Sequence, residues 1–142
     1  MLPKEHRMRS ALDFSATVRS GARSGRRNVV LYARSRGAGQ AGEPTRFGFI
    51  VSKAIGNAVT RNLVKRRLRE VAGQSLAGQA LPGQSFAVPR AGFDVVVRAL
   101  PPAAAASWDE LSAETRKALE TACRKASSGA AASGKGAGER GR

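Results

Sequence analysis

The chain has 142 residues, enough for one domain with a modest core. Its 25 Lys and Arg against 10 Asp and Glu leave a formal charge of +15, with a pI near 11.7. Such a surface repels itself unless it meets an anionic partner, which points to nucleic acid or an anionic membrane. No apolar run approaches the ~18 residues of a membrane span, and MLPKEHRMRS lacks the apolar core of a secretory signal. The single cysteine, Cys123, excludes an internal disulfide and fits a reducing cytoplasm.

In chain order, residues 1–9 read as a mobile basic leader, carrying His6, the only histidine, in a solvated position. A helix starts after Ser10, which caps it with Asp13 at the third position, and ends at Gly21. On it Phe14 and Val18 sit at i, i+4, a spacing that most often serves a core contact but also suits the wall of a cleft. The run NVVLYAR, carrying Tyr32, is β-branched and aromatic and predicts a strand. RFGFIVS predicts a second, and the Gly-rich SRGAGQAGEPT between them suggests an antiparallel hairpin with a long loop. Gly37, Gly39 and Gly42 satisfy G-x-G-x-x-G, but a dinucleotide fingerprint needs a helix next, and here a strand follows. A GXXG in the same loop likewise lacks the flanking helices of an RNA-binding KH motif.

From about Asn57 or Ala58 to Ala72, stopped by Gly73, runs a helix dense in cations. At roughly 100° per residue, Leu63, Val64, Leu68 and Val71 share one arc. Arg61, Lys65 and Arg69 recur every four residues on another, beside Asn62 and Arg66. Arg67 falls within the apolar arc and must run its charged head outward along a methylene stem. Glu70 is the helix's only carboxylate, so the balancing charge is external. Gly56-Asn57 ahead of the helix offers backbone N–H groups to a phosphate. The Asn62 amide both donates and accepts, so it suits a base edge or ribose hydroxyl, whereas Arg and Lys position phosphates.

A turn-rich connection leads to FDVVVRAL, apolar on consecutive residues and therefore a central strand. Ser107 and Glu110 form a capping box opening a helix to about Lys125, with Trp108, Leu111, Leu119 and Ala122 on its apolar side. Cys123 shares that spacing and reads as a buried thiol rather than a nucleophile. Residues 127–142 are Ser, Gly, Ala and charge, and read as a disordered tail. The order is α-β-β-α-β-α: an α+β sandwich of helices on a small sheet, one domain over 1–126. No acid pair or metal cluster stands out, and the catalytic set reads as none.

The run from Val51, V-S-K-x-I-G-N-A-V-x-R-N-x-x-K-R-x-x-R, closely resembles the signature of the bacterial ribonuclease P protein subunit. Asp13-Phe14, the strand ending in Leu31-Tyr32 and the late F-D-V-V-V strand extend the resemblance; the insert near Gly37 and the tail after Ser127 lie outside it. It implies a fold like the second domain of ribosomal protein S5, with a left-handed β-α-β crossover. It also implies a ribonucleoprotein that removes the 5′ leader of precursor tRNA, catalysed by its RNA subunit with Mg²⁺ held largely by RNA phosphates. The protein is then the auxiliary that binds the catalytic RNA and the leader.

By this resemblance Lys53, Asn57, Arg61, Asn62, Lys65, Arg66 and Arg69 face the RNA subunit. A cleft of Phe14, Val18 and Tyr32 takes the leader by stacking; Val18 stands where the family often has a second aromatic. The rival readings are a ribosomal or other structural RNA-binding protein and, behind it, a DNA-binding helix, for which Asn62 is the lone base-reading candidate.

Overall fold

The computed structural model describes residues 2–36, 42–76, 88–89 and 91–132, and side chains to residue 127. Seven principal elements form: α1 (Ala11–Ser20), β1 (Ala22–Gly25), β2 (Val29–Ser35), β3 (Arg46–Ile50), α2 (Ala58–Leu76), β4 (Phe93–Ala99) and α3 (Trp108–Ala132). The sheet order is β1-β2-β4-β3, antiparallel except for the parallel pair β3 and β4. The α+β class and helix-on-sheet architecture are as expected, with one strand more.

That extra strand, β1, lies in ARSG, which has no β-branched residue and no strand signal of its own. It forms because it follows α1 directly and pairs Ala22–Gly25 against Ala33–Val30. The expected hairpin is corrected as well. β2 and β3 are not neighbours, because β4 enters between them and pairs with both. Val95, Val96 and Val97 are all buried, so this strand needs cover on both faces and partners on both edges. The connection β3–α2–β4 is accordingly a β-α-β crossover joining adjacent parallel strands.

Alternation divides the sheet. Val29, Leu31, Ala33, Phe47, Val95 and Val97 join Val64 and Leu68 of α2 and Leu111 and Leu119 of α3 in the main core. The other face receives α1. Three rows cross it: Arg34–Asp94–Arg46, then Arg23–Tyr32–Val96–Gly48, then Gly25–Val30–Arg98–Ile50.

Caps behave as the sequence implies. Ser10 Oγ accepts from the backbone N–H groups of Leu12 (3.2 Å) and Asp13 (3.4 Å), and Ser107 Oγ accepts from Glu110 N at 3.0 Å. Both long helices overrun their expected ends. Gly73 does not stop α2, because Val71, Ala72, Ser75 and Leu76 remain buried. α3 continues to Ala132, so residues 127–132, expected in a disordered tail, are helical; 133–142 lie outside the described residues. Gly37 and Gly39 of the glycine pattern also lie outside them.

For the described residues 2–8 the assignment to a mobile leader does not hold. Leu2 is buried, Met8 N donates to Phe47 O at 2.8 Å, and Arg7 bridges to Phe47 along the outer edge of β3. His6, expected in solvent, is 2 % exposed, and its Nδ1 donates to Thr45 O at 2.6 Å. Apolar Leu2 and Met8 gain more from burial than the flanking cations lose by lying over the sheet edge.

Candidate RNA interface

Gly56 precedes α2 at φ +152°, a conformation that favours glycine. Asn57 follows as the cap: its Oδ1 accepts from Thr60 N at 2.9 Å. Its amide oxygen therefore serves the helix. Arg61 Nε donates to Gly56 O at 3.1 Å, which ties that guanidinium to the turn. Lys53, in a one-turn helix just before, is exposed, as are Asn62, Arg66 and Arg69; Arg61 and Lys65 are half-buried. Arg67 behaves as its place in the apolar arc requires, donating from Nη1 to Ala106 O at 3.1 Å.

Lys65 and Arg69 do more than decorate a helix. With Arg7, Arg9, Phe14, Gly48 and Phe49 they line a hollow of about 290 Å³ against β3. Cations from α2 and from the amino-terminal segment thus meet an aromatic ring carried by α1. Arg7 and Arg9 were not singled out in the sequence, although the charged–apolar–charged alternation Arg7-Met8-Arg9 is the period-two signal of an edge-pairing segment. Lys53, Asn57, Asn62 and Arg66 lie outside this hollow, along the solvent side of α2 and its start.

Phe14 also borders a second hollow with Ser15, Val18, Arg19 and Ile50. Phe14 and Val18 are both half-exposed and form a wall, not a core contact. Tyr32 shares their face of the sheet, between Arg23 and Val96, but lines neither hollow. Two of the three expected cleft residues are brought together directly, and the third lies further across the same face.

What holds α1 in place is a buried charge cluster. Asp94, fully buried, accepts from Arg46 Nε (2.9 Å) and Nη2 (2.9 Å) and from Arg34 Nη2 (2.6 Å), with Arg36 Nε at 3.7 Å. Arg46 reaches on to Asp13 of α1 at 3.0 Å. Burial pushes the Asp94 carboxyl up, but hydrogen bonds from Arg46 and Arg34 and the surrounding positive charge outweigh it, and its pKa falls below the usual carboxylate value. The hydrogen bond to Asp94 raises Arg46 in turn.

The buried Cys123 thiol is pushed up to about 12 by desolvation, so it carries no thiolate at neutral pH. Among the described residues no three His, Cys, Asp or Glu side chains converge to hold a metal ion.

The family model described as Ribonuclease P matches residues 2–123. The chain belongs to the ribonuclease P protein family. It is 54% identical over 125 residues to the ribonuclease P protein component of Kocuria rhizophila, covering 88% of this chain and 98% of that protein. It is 56% identical over 121 residues to that of an Arthrobacter species, covering 85% and 79%. The solved RNase P protein of Staphylococcus aureus superposes with a TM-score of 0.61 at 25% identity, covering 87% of this chain and 96% of that one. The Thermotoga maritima RNase P protein shares the fold, with a TM-score of 0.64 at 22% identity, covering 81% and 96%.

The chain's function is that of the protein subunit of ribonuclease P, a tRNA-processing nuclease, in association with the ribonuclease P RNA. These likenesses do not favour the ribosomal or structural RNA-binding reading. Among the described residues no helix is long and apolar enough to cross a membrane.

Proposed function

We propose that this subunit grips the catalytic RNA with α2 while presenting the Phe14 side of the sheet to the 5′ leader of precursor tRNA. RNA then carries out the phosphodiester hydrolysis, and the protein favours precursor over product. The observation that carries this reading is the shared hollow: Lys65 and Arg69 open onto the same cavity as the Phe14 ring. Cations beside an aromatic face are the usual means of holding unpaired nucleotides without strong sequence preference. The remaining cations, Lys53, Arg61 and Arg66, with Asn62, extend along α2 and its start, where duplex or folded RNA phosphates would align.

Mg²⁺ belongs with RNA phosphates in this proposal. Among the described residues the donor set does not fit it: no carboxylate lines either hollow, and Asp94 and Asp13 are occupied by guanidinium groups. The working compartment is the cytoplasm, where the thiol of Cys123 stays reduced.

Reconstitution tests the division of labour. Added to a bacterial ribonuclease P RNA at low Mg²⁺, the purified protein should stimulate cleavage of leader-bearing precursor tRNA and should not cut alone. A protein-dependent gain in affinity that is the same for leader-bearing precursor and for mature tRNA would remove the leader role. Cleavage by RNA-free protein that persists once contaminating nuclease is excluded would remove RNA from the catalytic role.

A further inference from the structure

The row Gly25–Val30–Arg98–Ile50 lies at the edge of the face that α1 covers. Arg98 is exposed although it sits on the central strand, between buried Val97 and Ala99 on the opposite face. A central strand that carries an exposed Arg has an uncovered stretch of sheet there. Arg23 turns toward the same row: its guanidinium nitrogens stand 3.9 and 4.0 Å from the position a Cβ on Gly25 would take. Arg19 of α1 lines the adjoining hollow with Val18 and Ile50. Among the described residues none of Arg19, Arg23 and Arg98 has a carboxylate within salt-bridge range.

We infer that Arg23 and Arg98, with Arg19, form a second cationic bank that grips the phosphates of the far part of the leader. The inference rests on the leader reading proposed above. Phe14 stands between the two banks, since it borders both the Lys65–Arg69 hollow and the Val18–Ile50 hollow. Three inter-strand steps of about 4.8 Å separate β3 from β1, so the face is roughly 14 Å across, about four nucleotides stacked at ~3.4 Å. A single strand entering at Lys65 and Arg69 passes Phe14, lies on Val18 and Ile50, and ends with phosphates at Arg98 and Arg23. Surface arginines are often only solvated, but here the Arg23 guanidinium and Arg98 lie along one sheet row and Arg19 borders the hollow lined by Ile50 of that row, and cations so placed along an apolar floor make an anion-gripping edge.

The test uses the reconstituted holoenzyme and two precursor tRNAs, one with a single-nucleotide leader and one with a leader long enough to span the face. The wild type should bind the long-leader precursor more tightly. The double variant R23Q/R98Q should lose that gain and flatten its salt dependence by roughly 1.4 log units per log unit of salt, two single-strand contacts at ~0.7 each. R23K/R98K, which keeps the charge, should restore most of the gain, and thermal melting of each variant checks folding. If the wild type shows no gain from the longer leader, and Phe14→Ala changes nothing, the leader reading itself falls. If the wild type gains but R23Q/R98Q keeps both gain and slope, this bank is refuted while the leader reading stands. Equal weakening for both precursors, with weaker binding of the RNA subunit, would place these arginines on the catalytic RNA and overturn the inference.

Discussion

The ring of Phe14 occupies the space that a side chain at residue 48 would need. A Cβ built on Gly48 would come within 2.4 Å of two ring carbons of Phe14. The contact lies with the far end of the ring, which is half-exposed and can swing away. Gly48→Ala is therefore expected to displace the ring at a stability cost of about 1–3 kcal/mol or less. In the reconstituted enzyme it should reduce the preference for leader-bearing precursor much as Phe14→Ala does. A melting-temperature loss with unchanged leader preference would show that this contact only packs the helix.

Asp94 supports the stability of the whole α1–sheet arrangement. Asp94→Asn leaves the surrounding guanidinium groups without their buried counter-charge and should cost about 3–5 kcal/mol in denaturant unfolding. The sign of its pH dependence follows from its lowered pKa. A carboxylate held below its unfolded value of roughly 3.9 contributes stability that is fully present above that pH. That contribution is lost as pH falls through the folded value. Wild-type stability should thus drop below about pH 4, and Asp94→Asn should remove that part of the slope. An identical acid profile for the variant would assign the acid sensitivity to other carboxylates.

The cations of α2 are expected to differ. Alanine at Lys65 or Arg69 should weaken RNA-subunit binding and flatten its salt dependence by roughly 0.7–0.9 log units per lost phosphate contact. Because both also line the hollow that Phe14 borders, each should couple to Phe14→Ala in a double-mutant cycle on precursor affinity. Arg66, exposed on α2 and outside that hollow, should change RNA-subunit affinity without coupling. Additive behaviour of all three pairs would mean that α2 and the cleft act as separate sites.

The unequal legibility of this fold has physical causes. The amphipathic arc of Val64, Leu68 and Val71, the caps at Ser10 and Ser107 and the central apolar strand Phe93–Ala99 all rest on local patterns, and each is found in place. What depends on distant pairing was not legible. β1 owes its form to β2, and the insertion of β4 between β2 and β3 replaces a hairpin that adjacency in sequence suggests. His6 looked solvated because the carbonyl of Thr45 that takes its ring N–H comes some forty residues later, as does Phe47, whose backbone oxygen accepts from Met8. At the site, period and spacing placed the α2 row, whereas for Phe14 and Val18 spacing alone suits a core as well as a cleft, and only the family resemblance pointed to the cleft. That Arg46, Asp94 and Asp13 tie α1 to the sheet depends on three separate elements and left no local signature.

Asn57 separates capping from RNA contact. Its Oδ1 accepts from Thr60 N, and its backbone oxygen accepts from Arg61 N at 2.9 Å, so it starts the very helix that carries the RNA-facing cations. Asn57→Ala should cost about 1 kcal/mol through the lost cap, whereas Asn57→Asp or Asn57→Ser, which keep an acceptor there, should retain most of that stability. The two roles then diverge in RNA binding. If Asn57 serves only the helix, Asn57→Ser binds the RNA subunit like the wild type. If its amide N–H₂ also donates to RNA, both Asn57→Ser and Asn57→Asp lose affinity at unchanged melting temperature, and Asp loses more because its charge repels the phosphates.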